Sequence, residues 1–175
     1  MSYATLLEDA EYFCSKSEES SGPASKAGER FSTASILFSF MAMESFINNM
    51  LFDFAAVPKD LFTVHEQGFL VEKSVTFSIS GTNAGRFELS NKDEYKRLEE
   101  KIMFLLARFG GEHIDKGSTL WQRFEKAKEI RNRLSHPKKD VASLPTPSDA
   151  RYTLEAAGDI IKLVSAKVWG KSVNL

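Results

Sequence analysis

The 175-residue sequence holds one cysteine, Cys14, so no internal disulfide can form and nothing in it asks for an oxidising compartment. Long apolar runs are missing too: no window approaches eighteen uncharged apolar residues, and the acidic N-terminus lacks a signal-peptide pattern. These absences predict a cytoplasmic protein with no membrane partner. Charge of one sign is also lacking. Lys and Arg number 23 against 24 Asp and Glu, a formal net charge of −1, so no overall basicity announces nucleic acid. His65, His113 and His136 are scattered, without His-x-x-x-His or Cys-x-x-Cys spacing, which leaves no metal site to assign. The segment from Gly81 to Gly85 is too short for a phosphate loop and lacks its lysine, and no serine sits in a Gly-x-Ser-x-Gly turn. Neither a metal nor a cofactor is expected.

What the chain does have is helical periodicity, and its length suits one domain, residues 1–175, with a substantial core. The spacing predicts a first helix from Tyr3 to Ser17, with Tyr3, Leu7, Ala10 and Cys14 inward; there Cys14 reads as a buried thiol. A central helix is expected over Phe31–Phe54, a third over Lys92–Phe109 and a fourth from Thr119, where Thr119 and Gln122 are spaced as a capping box. A fifth starts with Thr146 as cap and Pro147 in the first turn, and ends at Gly170. Alternation over Phe69–Ile79 and again over Arg86–Leu89, with glycines between, predicts a β-hairpin inserted at about residues 69–90. The expected fold is therefore all-α, an antiparallel bundle of about five helices carrying a small hairpin.

The fourth helix closes on Arg131-Asn132-Arg133-Leu134-Ser135-His136-Pro137. Leu120, Phe124, Ala127, Arg131 and Leu134 follow steps of 4, 3, 4 and 3, which assigns Arg131 to the apolar seam. A guanidinium stays charged, so on a seam it must be paired or line a polar cleft. Cations near a helix C-terminus also have an ordinary explanation in the helix dipole. In the central helix Thr33, Leu37, Phe40, Glu44, Ile47, Leu51 and Phe54 step the same way, which puts Glu44 among apolar residues. The economical expectation is a Glu44–Arg131 contact. It would be either a buried ion pair that fixes helix register or the polar floor of a cleft. Asn48 and Asn49, one turn on, could add polar groups. From Arg123 to Lys139 seven basic residues (Arg123, Lys126, Lys128, Arg131, Arg133, Lys138, Lys139) face two acidic ones, a local balance that suits a phosphate backbone.

Arg131 and His136, with four residues between them and the polar Asn132 after the arginine, form the motif of the HEPN superfamily of small helical domains, which the chain resembles. The central helix around Ala42-Met43-Glu44-Ser45-Phe46-Ile47-Asn48-Asn49 is similar to the long second helix of such domains. The resemblance covers about 15 residues as motif and most of the chain as architecture. It implies a metal-independent endoribonuclease, a toxin or phage-defence effector, working as a homodimer with two motifs in one cleft. Its catalytic residues would be His136 as acid or base, Arg131 against phosphate charge, Asn132 positioning both and Glu44 orienting the arginine. Arg133, Lys138, Lys139 and Asn48 are the candidate substrate contacts. RNA and an antitoxin or regulatory protein would be the partners. Where toxins paired with nucleotidyltransferases carry a tyrosine two places after the histidine, this chain has Lys138, which does not support that subtype. The alternative is a non-catalytic HEPN-like module that binds nucleotide, RNA or a protein.

Overall fold

Capping residues and apolar positions three or four apart recur along most of the sequence, and helix is the main product. The computed structural model describes residues 2–20, 25–135 and 144–171; among these there are six α-helices, one 3-10 turn and one two-stranded sheet. The chain divides into two compact units, Met1–Phe46 with Leu106–Leu175, and Ile47–Leu105.

The first unit holds α1 (Tyr3–Glu19), the N-terminal part of α2 (Lys26–Ala55), α5 (Thr119–Ser135) and α6 (Pro147–Trp169). Ser2 caps α1 by accepting from the Thr5 N–H. Thr146 caps α6 with Pro147 inside the first turn and Gly170 closes it at φ 63°, as the sequence predicts; Asp149, which that reading passes over, completes a reciprocal capping box with Thr146. Ala10 and Cys14 of α1, Ile36 of α2, Ile130 of α5, and Ala150 and Leu154 of α6 share one buried cluster, so all four helices feed the same core. Phe124 and Ile160 are also fully buried in this unit; truncating such a side chain to alanine costs about 2–5 kcal/mol.

Helices α1 and α2 also bury several serines. Ser17, Ser32, Ser35 and Ser39 are all buried, and the Ser35 hydroxyl donates to the Ala10 carbonyl oxygen at 2.8 Å. A Cβ on Gly28 would lie 3.2 Å from the Ser20 carbonyl oxygen, so the two backbones run close there. The buried Ser32 hydroxyl has no hydrogen-bond partner among the described residues. Aromatic packing borders the serines, with Phe13 stacked against both Phe31 and Phe38.

The second unit runs from the end of α2 through a 3-10 turn (Lys59–Leu61), α3 (Val64–Leu70), β1 (Lys73–Phe77) and β2 (Phe87–Asp93) into α4 (Leu98–Arg108). Helix α3 makes six helices where five are expected. Its signal is Thr63, whose hydroxyl accepts from the Glu66 N–H while the Glu66 carboxylate accepts from the Thr63 N–H. The apolar residues Phe69 and Leu70, which the alternation assigns to a strand, extend that capped turn instead. Gly68 lets α3 lie on the hairpin, since a Cβ there would meet the Lys73 carbonyl oxygen at 2.8 Å. The strands are antiparallel, with Val75 opposite Leu89 and Phe77 opposite Phe87, and the register shifts between Lys73 and Val75. Pairing of Lys73 with Asp93 holds residues 92–93 in β2, so α4 begins at Leu98 rather than Lys92.

Among the described residues one helix, α2, is long and apolar enough to cross a membrane by length and composition alone. Its most apolar window is 56% buried inside the protein, the pattern of a core helix.

Candidate functional site

Helix α5 turns out to be set differently from the stripe its sequence suggests. Its buried residues are Trp121, Phe124, Ala127 and Ile130, spaced by three, and Leu120 is only partly covered. Phe124 and Ala127 belong to both sets, and Trp121 and Ile130 are buried on either side of them where the stripe has Leu120 and Arg131. Arg131 therefore lies at the border of the seam, with 36% of its side chain exposed. The same correction applies to α2. Its inward line runs through Ile36, Ser39, Met43, Phe46 and Met50, while Leu37 and Glu44 sit at the solvent margin, the Glu44 side chain 43% exposed. The pair is therefore half-exposed and not buried: Phe40, Ile47 and Leu51 of the expected α2 stripe are buried, but Glu44 and Arg131 fall at the edge of theirs.

The two charges nonetheless come together. An Arg131 Nη2 lies 4.0 Å from the Glu44 Oε1, within ion-pair range but beyond hydrogen-bond length. The other terminal nitrogen donates to the Asn132 Oδ1 at a long 3.4 Å. The guanidinium carbon is 6.0 Å from the centre of the Phe40 ring, a cation–π arrangement that holds the group against α2. Phe40 is a residue the charge-based reading passes over. Its signal was available, since it lies one turn before Glu44 on the same side of α2. Arg131, Asn132, Glu44 and Phe40 thus form a half-exposed, charged corner between α2 and α5 within the first unit.

The remaining candidates are placed elsewhere or fall outside the description. His136, Lys138 and Lys139 lie outside the described residues. Arg133 is exposed and, two positions past Arg131, is about 200° around the helix from it. Asn48 belongs to the second unit, where its Oδ1 accepts from the Lys101 ammonium at 2.9 Å.

The basic stretch is less bare than its sequence implies. Arg123 is held by Asp159 at 2.6 Å and Glu155 at 3.0 Å, both from α6. Lys128 pairs with Glu125 at 2.6 Å, and the Lys126 ammonium sits 4.7 Å from the centre of the Tyr152 ring. Acidic residues thirty positions downstream offset charge that a local count leaves uncompensated.

The chain matches no protein-family model, no curated protein and no solved structure.

Proposed function

We propose that the chain is a metal-independent endoribonuclease of the HEPN type, acting as a homodimer of antiparallel helical domains in a toxin or phage-defence role. The observation that carries this reading is the approach of Arg131 and Glu44 to 4.0 Å at a half-exposed corner. A cation in that position can receive a phosphate while a carboxylate and a ring face limit its orientation. In the proposed reaction the ribose 2′-oxygen loses its proton to a base, attacks the adjacent phosphorus and displaces the 5′-oxygen, which takes up a proton. The products are a 2′,3′-cyclic phosphate and a 5′-hydroxyl. His136 serves one of the two proton transfers, Arg131 meets the charge on the phosphoryl oxygens and Asn132 holds the arginine. The histidine's role rests on the sequence motif.

The pairing of Arg123 and Lys128 with carboxylates favours a second reading, a non-catalytic module of the same type that binds nucleotide, RNA or a protein partner. Labelled RNA incubated in EDTA with wild type, His136→Ala and Arg131→Ala separates the two. The nuclease reading expects cyclic-phosphate ends from the wild type, and at least about 100-fold less cleavage from either variant. Intact RNA in all three reactions, across several substrates, leaves only the binding module.

A further inference from the structure

The second unit contains a groove of 630 Å³ whose apolar wall is built from Leu51, Phe52, Ala55, Leu70 and Val71. Its polar corner is made by Asn48, Glu72 and Lys101. Lys101 is 7% exposed although it carries a charge, and its ammonium donates to the Asn48 Oδ1 at 2.9 Å and lies 3.0 Å from the Glu72 Oε1. The same Glu72 oxygen accepts from the Lys96 N–H at 2.9 Å. Burial pushes the Glu72 carboxyl up, but the Lys96 N–H and Lys101 outweigh it and hold the group below its ordinary value, so it is ionised at neutral pH. Glu72 is also the one described residue other than glycine with positive φ, at 51°. The Glu94 N–H donates to its carbonyl oxygen at 2.8 Å and helps fix it there. Strained backbone held by several hydrogen bonds beside a cavity is a feature of ligand clamps.

The unused bonding capacity of this corner describes its ligand. An ammonium has three protons, and two are engaged. Asn48, whose oxygen faces Lys101, keeps its NH₂ as a donor. Among the described residues no hydrogen bond reaches the second Glu72 oxygen. Donors and one acceptor therefore converge at the end of an apolar groove. The Lys101–Glu72 pair carries no net charge, so the corner has little to offer an anion or a cation.

We infer that this groove is a binding site for a small uncharged carboxamide with an apolar body, its carbonyl accepting from Lys101 and Asn48 and its N–H donating to Glu72. The site stands apart from the nuclease reading and does not depend on it.

Titration of the full chain with octanamide, octanoate and octylamine, followed by amide chemical shifts, tests the assignment. Octanamide is expected to bind with shifts confined to residues 48–56, 70–72 and 101, and at least about tenfold more tightly than either charged analogue, since each of these leaves a buried hydrogen-bonding group unmatched. Phe52→Ala and Asn48→Ala, both at exposed positions, are each expected to weaken octanamide about tenfold; the melting temperature is expected to stay unchanged in Phe52→Ala and to fall in Asn48→Ala, which removes one partner of the buried Lys101 ammonium. No saturable shifts with octanamide, equal affinity for octanoate, or full affinity in both variants overturns the proposal.

Discussion

Two arginines of the first unit are covered to nearly the same degree, Arg151 on α6 with 35% of its side chain exposed and Arg131 on α5 with 36%. Their surroundings differ in kind. Arg151 fills its fork: Nε and Nη2 donate to the two oxygens of Glu18 and Nη1 donates to Glu11, each at 3.0 Å. Glu11 and Glu18 are seven residues apart on α1, two turns along one face, which is why a single guanidinium reaches both. At Arg131 the carboxylate is 4.0 Å away and the amide oxygen 3.4 Å away. At the same burial, Arg151 meets its carboxylates at hydrogen-bond length, whereas Arg131 meets Glu44 at ion-pair distance only.

The sharpest way to test that contrast is to remove each arginine and follow unfolding. Arg151→Met leaves Glu11 and Glu18 facing each other without their cation, and denaturant unfolding is expected to show a loss of about 2 kcal/mol after allowance for solvent screening. Arg131→Ala is expected to change stability by under about 0.5 kcal/mol, the size of a half-exposed ion pair such as its 4.0 Å contact with Glu44. A loss at Arg131 as large as that at Arg151 would erase the distinction.

Acid titration gives a smaller effect. The hydrogen bond from Arg151 holds the Glu18 carboxyl below its ordinary value, enough to outweigh burial. A carboxyl depressed in the folded state contributes stability that is fully present above its unfolded value, about 4.3, and is lost as pH falls through the lower folded value. Unfolding free energy should therefore decline as pH drops below about 4.3, and Arg151→Met should flatten that decline. An unchanged slope in the variant would assign the acid sensitivity to another group.

Next to this cluster, burial lifts the Cys14 thiol to about 11, with Arg151 opposing. Native protein at pH 7.5 is expected to take up an alkylating reagent at least about tenfold more slowly than urea-unfolded protein. Mass spectrometry reads the difference.

The parts of the fold that could be read in the sequence are those whose signal is local. Thr146, Pro147, Asp149 and Gly170 mark both ends of α6 because each acts on backbone within a turn of itself. The same kind of signal at Thr63 and Glu66 marks α3 but was masked by the apolar Phe69 and Leu70, which suit strand and helix equally. At α5 the expected cap, Thr119, gives way to Ser118, whose hydroxyl accepts from the Trp121 N–H at 3.3 Å, one residue earlier than the spacing of Thr119 and Gln122 suggests. The azimuth of a helix was harder to read than its ends. The expected stripe through Leu120, Phe124 and Arg131 follows the helical period, whereas the buried residues Trp121 and Ile130 lie to either side of Phe124 and Ala127, and the helices packed around α5 decide which flank is covered. Proximity of Glu44 and Arg131 was legible because two charges near apolar stripes share few solutions. Their exposure was not, and neither was Lys101, although its place three after Leu98 and four before Leu105 puts it on the inward side of α4.

The serines between α1 and α2 act as a gauge block for that azimuth. Ser35 is small and fully buried, and its bond to the Ala10 carbonyl oxygen of α1 ties the rotation of α2 to that helix. Glu44 sits nine residues beyond Ser35 on the same rigid helix, so its bearing toward Arg131 is inherited from a contact that touches neither charge. The corner's charges can thus be misaligned by a methyl group placed well away from them.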